Sequence, residues 1–440
     1  MRLVLKRCVL GVVILIVLCA SGVAETHPLT LDDCLRLGME YNPALHGSSM
    51  KIDGAEAQLR EVNAARLPAL ALSAGFARLS DIDPFIFTIP GATEPFTFFP
   101  NIPNNYSGKL TLTQPLFTGW QLEKTAAAMK QNLRASQLDH EAAARELRYA
   151  ITDAFWNVVK ANEYRTIVDE DVKRQEVHLK DVQSLFEQGL VSHNDVLRVE
   201  VQHSNALLQQ ISAHNALKLA KANLENTIGV QLTDDIDMTT PGESVGPLAE
   251  LPALQQMALA NRPEVQAMYH RVQMGKALVG AAKSGWLPQM ALVADYAYLR
   301  PNQRIQPIKD EAKATWDVGV YLSYNLWDWN TTGHKTRRAR AELAQIKDAE
   351  KQIADGITLQ VTHDFLALQE VVRRIEVSRI SLQQADEGYR ITHDLYQQGM
   401  AKTSDLLDAS VLQMQAKINH SQALIDYQTA KARLEATVGQ

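Results

Sequence analysis

A few residues in this 440-residue chain have types and spacings that could do chemistry. His193, His203 and His214 lie ten and eleven positions apart. Those intervals do not bring side chains to one face at zinc-ligand spacing. The stretch "GKALVGAAKS" (275–284) has a glycine-rich look. A phosphate loop needs Lys-Ser/Thr directly after its second Gly and a strand before it, and this stretch has neither. No Ser/His/Asp set stands out. What remains is Asp405 and Asp408. Their spacing of three puts both carboxylates on one face of a helix. Two like charges that close belong to a solvated surface or to a functional site. The chain therefore reads as a protein without catalysis, metal or cofactor.

The stretch that carries these aspartates occurs twice. "YQQGMAKTSDLLDA" (396–409) and "FEQGLVSHNDVLRV" (186–199) share an aromatic residue, Gln-Gly, an Asp six residues after the Gly, and Leu. The repeat extends much further. At a shift of 220, Pro43 meets Pro263 and Leu67-Pro68 meets Leu287-Pro288. At a shift of 210, Leu116-Phe117 meets Leu326-Trp327, Phe155 meets Phe365, Gly189 meets Gly399, and Asp195 meets Asp405. The shift changes by ten between residues 72 and 116, so the first copy has ten extra residues there, in a surface loop. The first repeat is 25–233, the linker 234–249 and the second repeat 250–440. The linker's "DDIDMTTPGESVGP" is acidic and rich in turn formers.

Each copy reads as a helix broken near Pro43 or Pro263, a strand pair, a very long helix, the Gly turn and a final helix. The strand pairs fall at about 69–117 and 289–327. The long helices cover 120–187 and 330–397, and the final helices 193–228 and 403–438. At 1.5 Å per residue a long helix extends on the order of 100 Å. The helix at 44–66, stacked end to end on the final one, nearly matches that length. The spacing of Ala409, Ala416, Ala423 and Ala430 is seven, as is that of Val199, Ala206, Ala213 and Ala220. A strict seven-residue period keeps one seam facing a neighbour in a coiled coil.

Arg2, Lys6 and Arg7 precede an apolar run from Val9 to Leu18, and Gly22 and Ala24 precede Glu25. Residues 1–24 thus read as a signal peptide. A lipid anchor at Cys19 or an uncleaved anchor are the alternatives. Cleavage removes three basic residues and no acidic ones, leaving 41 Lys and Arg against 50 Asp and Glu, a net −9. That balance argues against nucleic acid as a partner. Only Cys34 then remains, so no intrachain disulfide forms. No later apolar run reaches the length of a spanning helix.

Any membrane crossing must therefore use strands. In "YSGKLTLTQPL" (106–116), Tyr106, Leu110, Leu112 and Leu116 alternate with Lys109, Thr111 and Thr113. In "VGVYLSYNL" (318–326), Val318, Val320, Leu322, Tyr324 and Leu326 share a face. So do Leu70, Leu72 and Phe76, and Met290, Leu292, Tyr296 and Tyr298. Strands of about ten residues with one apolar face fit an outer-membrane barrel, whose smallest closed form has about eight strands. Four strands cannot close, and open edges in lipid cost several kcal/mol per unpaired group. Three protomers would supply twelve. The loop "PFIFTIPGATEPFTFFPNIPNN" (84–105) holds five of the sixteen prolines and five of the ten phenylalanines. Its prolines exclude a regular central strand. It reads as an outward loop that caps the mouth, rests at the lipid interface or packs on itself.

Taken in order and in two copies, these motifs resemble the TolC family of outer-membrane efflux channels. They include "NPAL" and "RPEV", the two Leu-Pro marks, "QPLFTGW", and the Gly turns followed by "NDVL" and "SDLLDA". The resemblance covers the whole mature chain. It implies a mixed α and β homotrimer: a twelve-stranded barrel in outer-membrane lipid, four strands per protomer, continuous with a periplasmic α-helical coiled-coil barrel. It also implies a passive exit duct of a tripartite efflux or type I secretion system, with a periplasmic adaptor and an inner-membrane pump as partners. On this resemblance Gly189-Leu190 and Gly399-Met400 are the adaptor-docking tips. Asp405 and Asp408 become rings at the aperture constriction, favouring cations. In such a ring, carboxylates about 7 Å apart repel by roughly 1–2 kcal/mol at an effective dielectric of 20 to 40. Asp195 and Tyr396 match two positions of the family's closing lock. Its Arg position is Ala401 here, and the neighbouring Lys402 lacks the bidentate fork of Arg. The glycines also have a purely local reading as left-handed helix caps, with Ser192 or Asn194 capping the next helix. Two other classes stay in view: a soluble periplasmic coiled-coil adaptor or scaffold, and a cell-envelope enzyme using the histidines.

Overall fold

In a computed structural model of the chain, residues 29–83, 85–87, 90–91, 96–232, 236–239, 242, 246 and 249–439 are described. The expected leader lies outside them, as do parts of the 84–105 loop and of the linker.

Two proline positions set the first break in each copy. Helix α1 (Leu31–Tyr41) stops at Asn42, and α2 runs Pro43–Ala64. Helix α5 (Leu251–Asn261) stops at Arg262, and α6 runs Pro263–Ala282. Asn42 and Arg262 both take extended backbone, with ψ of 122° and 126°. A following proline clashes with a helical predecessor and forces this conformation. The long helices are α3 (Gln121–Glu187) and α7 (Thr331–Gln397), each 67 residues. The final helices are α4 (His193–Ile228) and α8 (Thr403–Val438), each 36 residues.

The described residues form two compact units, one within 1–42, 147–246 and 368–432, the other within 43–146, 247–367 and 433–440. Each draws on both sequence copies, so the repeats are units of sequence rather than of packing. The first unit has its core where Cys34, Ile151, Phe155, Val158, Val159, Leu224, Ile228 and Ile425 are buried together. Burial pushes the Cys34 thiol up to about 11. The small-residue seam is closed in the same unit, with Val199, Ala206, Ala213, Ala416 and Ala423 buried.

The second unit carries a four-stranded antiparallel sheet of β1 (Ala69–Arg78), β4 (Asn104–Phe117), β5 (Gln289–Arg300) and β6 (Lys313–Ser323), paired in that order. Its register sorts the side chains by face. Leu70, Leu112, Ala294 and Val318 form one cross-strand row; Leu72, Leu110, Tyr296 and Trp316 form the next. Most of these large side chains are exposed. The other face is lined by rows such as Ala71, Thr111, Asp295, Asp317 and Ser73, Lys109, Ala297, Thr315. It is small and polar, relieved only by Val293, Leu299 and Tyr321. Each outer strand, β1 and β6, has one partner among the described residues.

The 84–105 loop holds two short strands, β2 (Phe85–Phe87) and β3 (Phe96–Phe99), which pair with each other rather than with the main sheet. Its five prolines all lie outside these strands. Proline keeps the segment off the central ladder without preventing a small hairpin between prolines.

Candidate functional site

The two Gly turns share one geometry. In the first, Gly189 N–H donates to the Phe186 carbonyl at 2.8 Å and Leu190 N–H to the Leu185 carbonyl at 2.9 Å. In the second, Gly399 N–H donates to Tyr396 at 3.0 Å and Met400 N–H to Leu395 at 2.9 Å. This is the Schellman arrangement, which satisfies the last carbonyls of a helix and needs a left-handed residue. Gly189 and Gly399 supply it, with φ of 72° and 69°. The residue after each glycine is pushed outward. Leu190 is 67% exposed and Met400 65%, so each tip ends in an apolar knob.

The helices that follow are capped differently. Ser192 and Asp195 form a full capping box: Asp195 accepts from the Ser192 N–H at 3.1 Å and hydroxyl at 2.6 Å, and its own N–H donates to Ser192 Oγ at 3.3 Å. These bonds hold the Asp195 carboxyl below its ordinary value. In the second copy Asp405 accepts from the Lys402 N–H at 3.2 Å and from Ser404 Oγ at 3.2 Å. A lysine at the cap position has no oxygen to return the bond. Asp408 lies exposed one turn further along.

A cavity of about 1120 Å³ separates the two tips, and Leu190, Asp195, Tyr396, Gly399 and Lys402 all line it. Asp195 and Tyr396 are not hydrogen-bonded. Asp195 is taken up by the capping box, and the Tyr396 hydroxyl is enclosed beside Thr403. Burial pushes the Tyr396 phenol up; Thr403 opposes the shift, and Asp181 and Asp195 add to it. Gly189, Met400, Asp405 and Asp408 lie outside this lining.

Sequence reasoning missed a second cavity, of about 290 Å³, behind Tyr396. Arg174, His178 and Asp181 of α3, Tyr389 and His393 of α7, and Ser410 of α8 line it. The His178 and Tyr396 rings meet edge-on at 5.5 Å. Three lining residues carry an enclosed polar atom without a hydrogen bond: Arg174 Nε, His178 Nε2 and Ser410 Oγ. One sequence signal existed. At the 210 shift His178 faces Gly388, a large ring against no side chain.

The Ser192–Asp195 pair in the larger cavity serves as a helix cap. What the tips do present is paired apolar knobs, backbone caps and a ring-lined hollow between long helices. The sequence model described as outer membrane efflux protein matches residues 37–230 and 254–440. This chain belongs to the outer membrane efflux protein family. The alkaline protease secretion protein AprF of Pseudomonas aeruginosa is 24% identical over 341 residues, covering 76% of this chain and 70% of that protein. Protein CyaE of Bordetella pertussis is 21% identical over 431 residues, 96% of this chain and 86% of that one. The solved structure of the CmeC outer membrane channel of Campylobacter jejuni superposes with a TM-score of 0.77 at 18% identity, over 93% of this chain and 85% of that chain. The protein is therefore an efflux channel component of the outer membrane, not a soluble adaptor.

Proposed function

We propose that three copies of this chain close one twelve-stranded barrel and one helical tunnel beneath it, making a passive exit duct. The observation that carries this reading is the sheet itself. It has an apolar face and two outer strands of ten and eleven residues, each paired on one side only among the described residues. In hydrocarbon such edges demand partners, and identical neighbours supply them when β1 of one protomer pairs with β6 of the next. Exposed Trp120, Trp286, Trp327 and Trp329 at the sheet-to-helix junctions fit the aromatic girdle of such a barrel.

At the other end, the Leu190 and Met400 knobs and their glycines dock a periplasmic adaptor, which connects the duct to an inner-membrane pump. The Asp405 and Asp408 rings line the aperture, and Asp195, Tyr396 and Lys402 sit at its gate. The name of AprF supports secretion of a polypeptide as one cargo class; the other is small-molecule efflux. The duct performs no catalysis, and the pump supplies the energy.

The test is the mass of the detergent-solubilised particle by light scattering, together with heat-modifiable migration on gels. A three-subunit mass that dissociates on boiling is expected. A single-subunit particle whose sheet closes on itself sinks the reading.

A further inference from the structure

The polar face of the sheet contains an electrostatic problem. Asp295 and Asp317 are direct cross-strand partners, and like charges in that position repel. Each meets one cation. Lys109 Nζ of β4 lies 2.9 Å from Asp295 Oδ2, and Thr111 donates to the same carboxylate at 2.6 Å. The cation for Asp317 does not come from the sheet. It is Arg304, whose Nη1 lies 3.2 Å from Asp317 Oδ1 and also donates to the Trp316 carbonyl at 3.2 Å.

Arg304 belongs to the connection between β5 and β6, so the start of this connection folds back over the polar face. Asn302 anchors it. Although in a loop, Asn302 is only 3% exposed. Its Nδ2 donates to the Lys313 carbonyl at 3.0 Å and to Thr315 Oγ1 at 3.2 Å, and its Oδ1 accepts from the Arg304 N–H at 3.0 Å. Thr315 lies in the row next to Asp317 on the same face.

We propose that the start of this connection, Asn302 to Arg304, forms an inward strap that narrows the outer end of the duct, with Asn302 as anchor and Arg304 as charge latch, so that these two residues set the size of what leaves; the far part turns to the apolar face, where Arg300 holds Asp310 at 2.9 Å. The proposal rests on the trimeric-duct reading, in which the polar face lines the pore. Twelve strands about 4.8 Å apart and tilted about 40° enclose a backbone circle roughly 24 Å across. Inward side chains take about 5 Å from each wall, leaving roughly 14 Å. Three such segments project into that opening.

The experiment labels a cysteine placed below the strap, Thr113→Cys, on intact cells from outside. Two reagents are compared, a small biotin maleimide and a bulky polyethylene-glycol maleimide. The buried Cys34, with its raised pKa, does not compete. The small reagent should react readily and the bulky one poorly. Asn302→Ala and Arg304→Ala should each speed the bulky reagent several-fold and leave the small one unchanged. The exchange Arg304→Asp with Asp317→Arg should restore exclusion, which separates latching from misfolding. Bulky labelling that is already fast in the parent, or unmoved in both variants, overturns the strap. A Thr113→Cys protein that resists even the small reagent, while Leu112→Cys on the other face reacts, overturns the duct reading itself.

Discussion

Replacing Gly119 with alanine tests how the sheet is joined to the helices. Gly119 follows β4 and has a φ of 63°. A left-handed L-residue costs roughly 1–2 kcal/mol. An added Cβ would also lie 2.7 Å from the Ser284 carbonyl oxygen and 3.0 Å from Leu287 Cβ. The first neighbour is backbone and cannot swing away, and overpacking of this kind costs about 1–3 kcal/mol more. The expected loss is therefore about 2–5 kcal/mol per protomer. Gly399→Ala is the control. It has nearly the same φ, 69°, but nothing within 4 Å of an added Cβ, so only the backbone cost applies. Guanidinium unfolding of both variants in detergent, followed by far-UV circular dichroism, isolates the steric part as the difference between them. Asparagine sharpens the comparison. It tolerates the left-handed region and should rescue position 399 far better than position 119. The reasoning fails if Gly119→Ala costs no more than Gly399→Ala, or if asparagine rescues both sites equally.

Three further outcomes are expected. Divalent and trivalent cations should block conductance in planar bilayers, and Asp405→Ala with Asp408→Ala should relieve the block; an unchanged block removes the aperture assignment. Burial holds the His178 imidazole below its ordinary value, with Asp181 opposing and His393 adding. The folded state thus favours the neutral ring, and its stabilisation is full above about pH 6.5 and lost as pH falls below it. His178→Gln should flatten that acid-side loss in unfolding midpoints. Trp329 holds a left-handed backbone, φ 54°, at the position where the first copy has Gly119, and is 82% exposed. Trp329→Gly should therefore relieve about 1–2 kcal/mol of backbone strain in detergent, read as a later unfolding midpoint, while weakening retention in lipid vesicles.

What the sequence revealed follows its periodicities. The face sorting of the sheet was legible because a strand repeats every two residues, and Leu70, Leu72, Leu110 and Leu112 obey that period. The proline breaks were legible because Pro43 and Pro263 act on their immediate neighbours. Contacts between distant positions left little trace. The pairing of Asn302 with Thr315 depends on how a loop of no regular pattern folds back. The meeting of His178 with Tyr396 depends on which helices adjoin. The left-handed Trp329 was hidden because tryptophan does not signal that conformation; only its alignment with Gly119 does. The β2–β3 hairpin was masked by prolines that flank the strands rather than fill them.

The two copies preserve backbone geometry and let side chains diverge, and the divergence is concentrated at the tips. Both turns keep the Schellman bonds, and both following helices keep an aspartate that accepts from the cap N–H. The first tip adds the reciprocal Ser192 bond and rests on buried Val182, Val196 and Val199. At the second tip Lys402 replaces the hydroxyl. A missing cap bond lowers the cost of moving the turn. The second tip thus lacks one cap bond that the first has, and it is also the one that carries Asp405 and Asp408. The difference between the two caps thus comes down to one position, Ser192 in the first copy and Lys402 in the second.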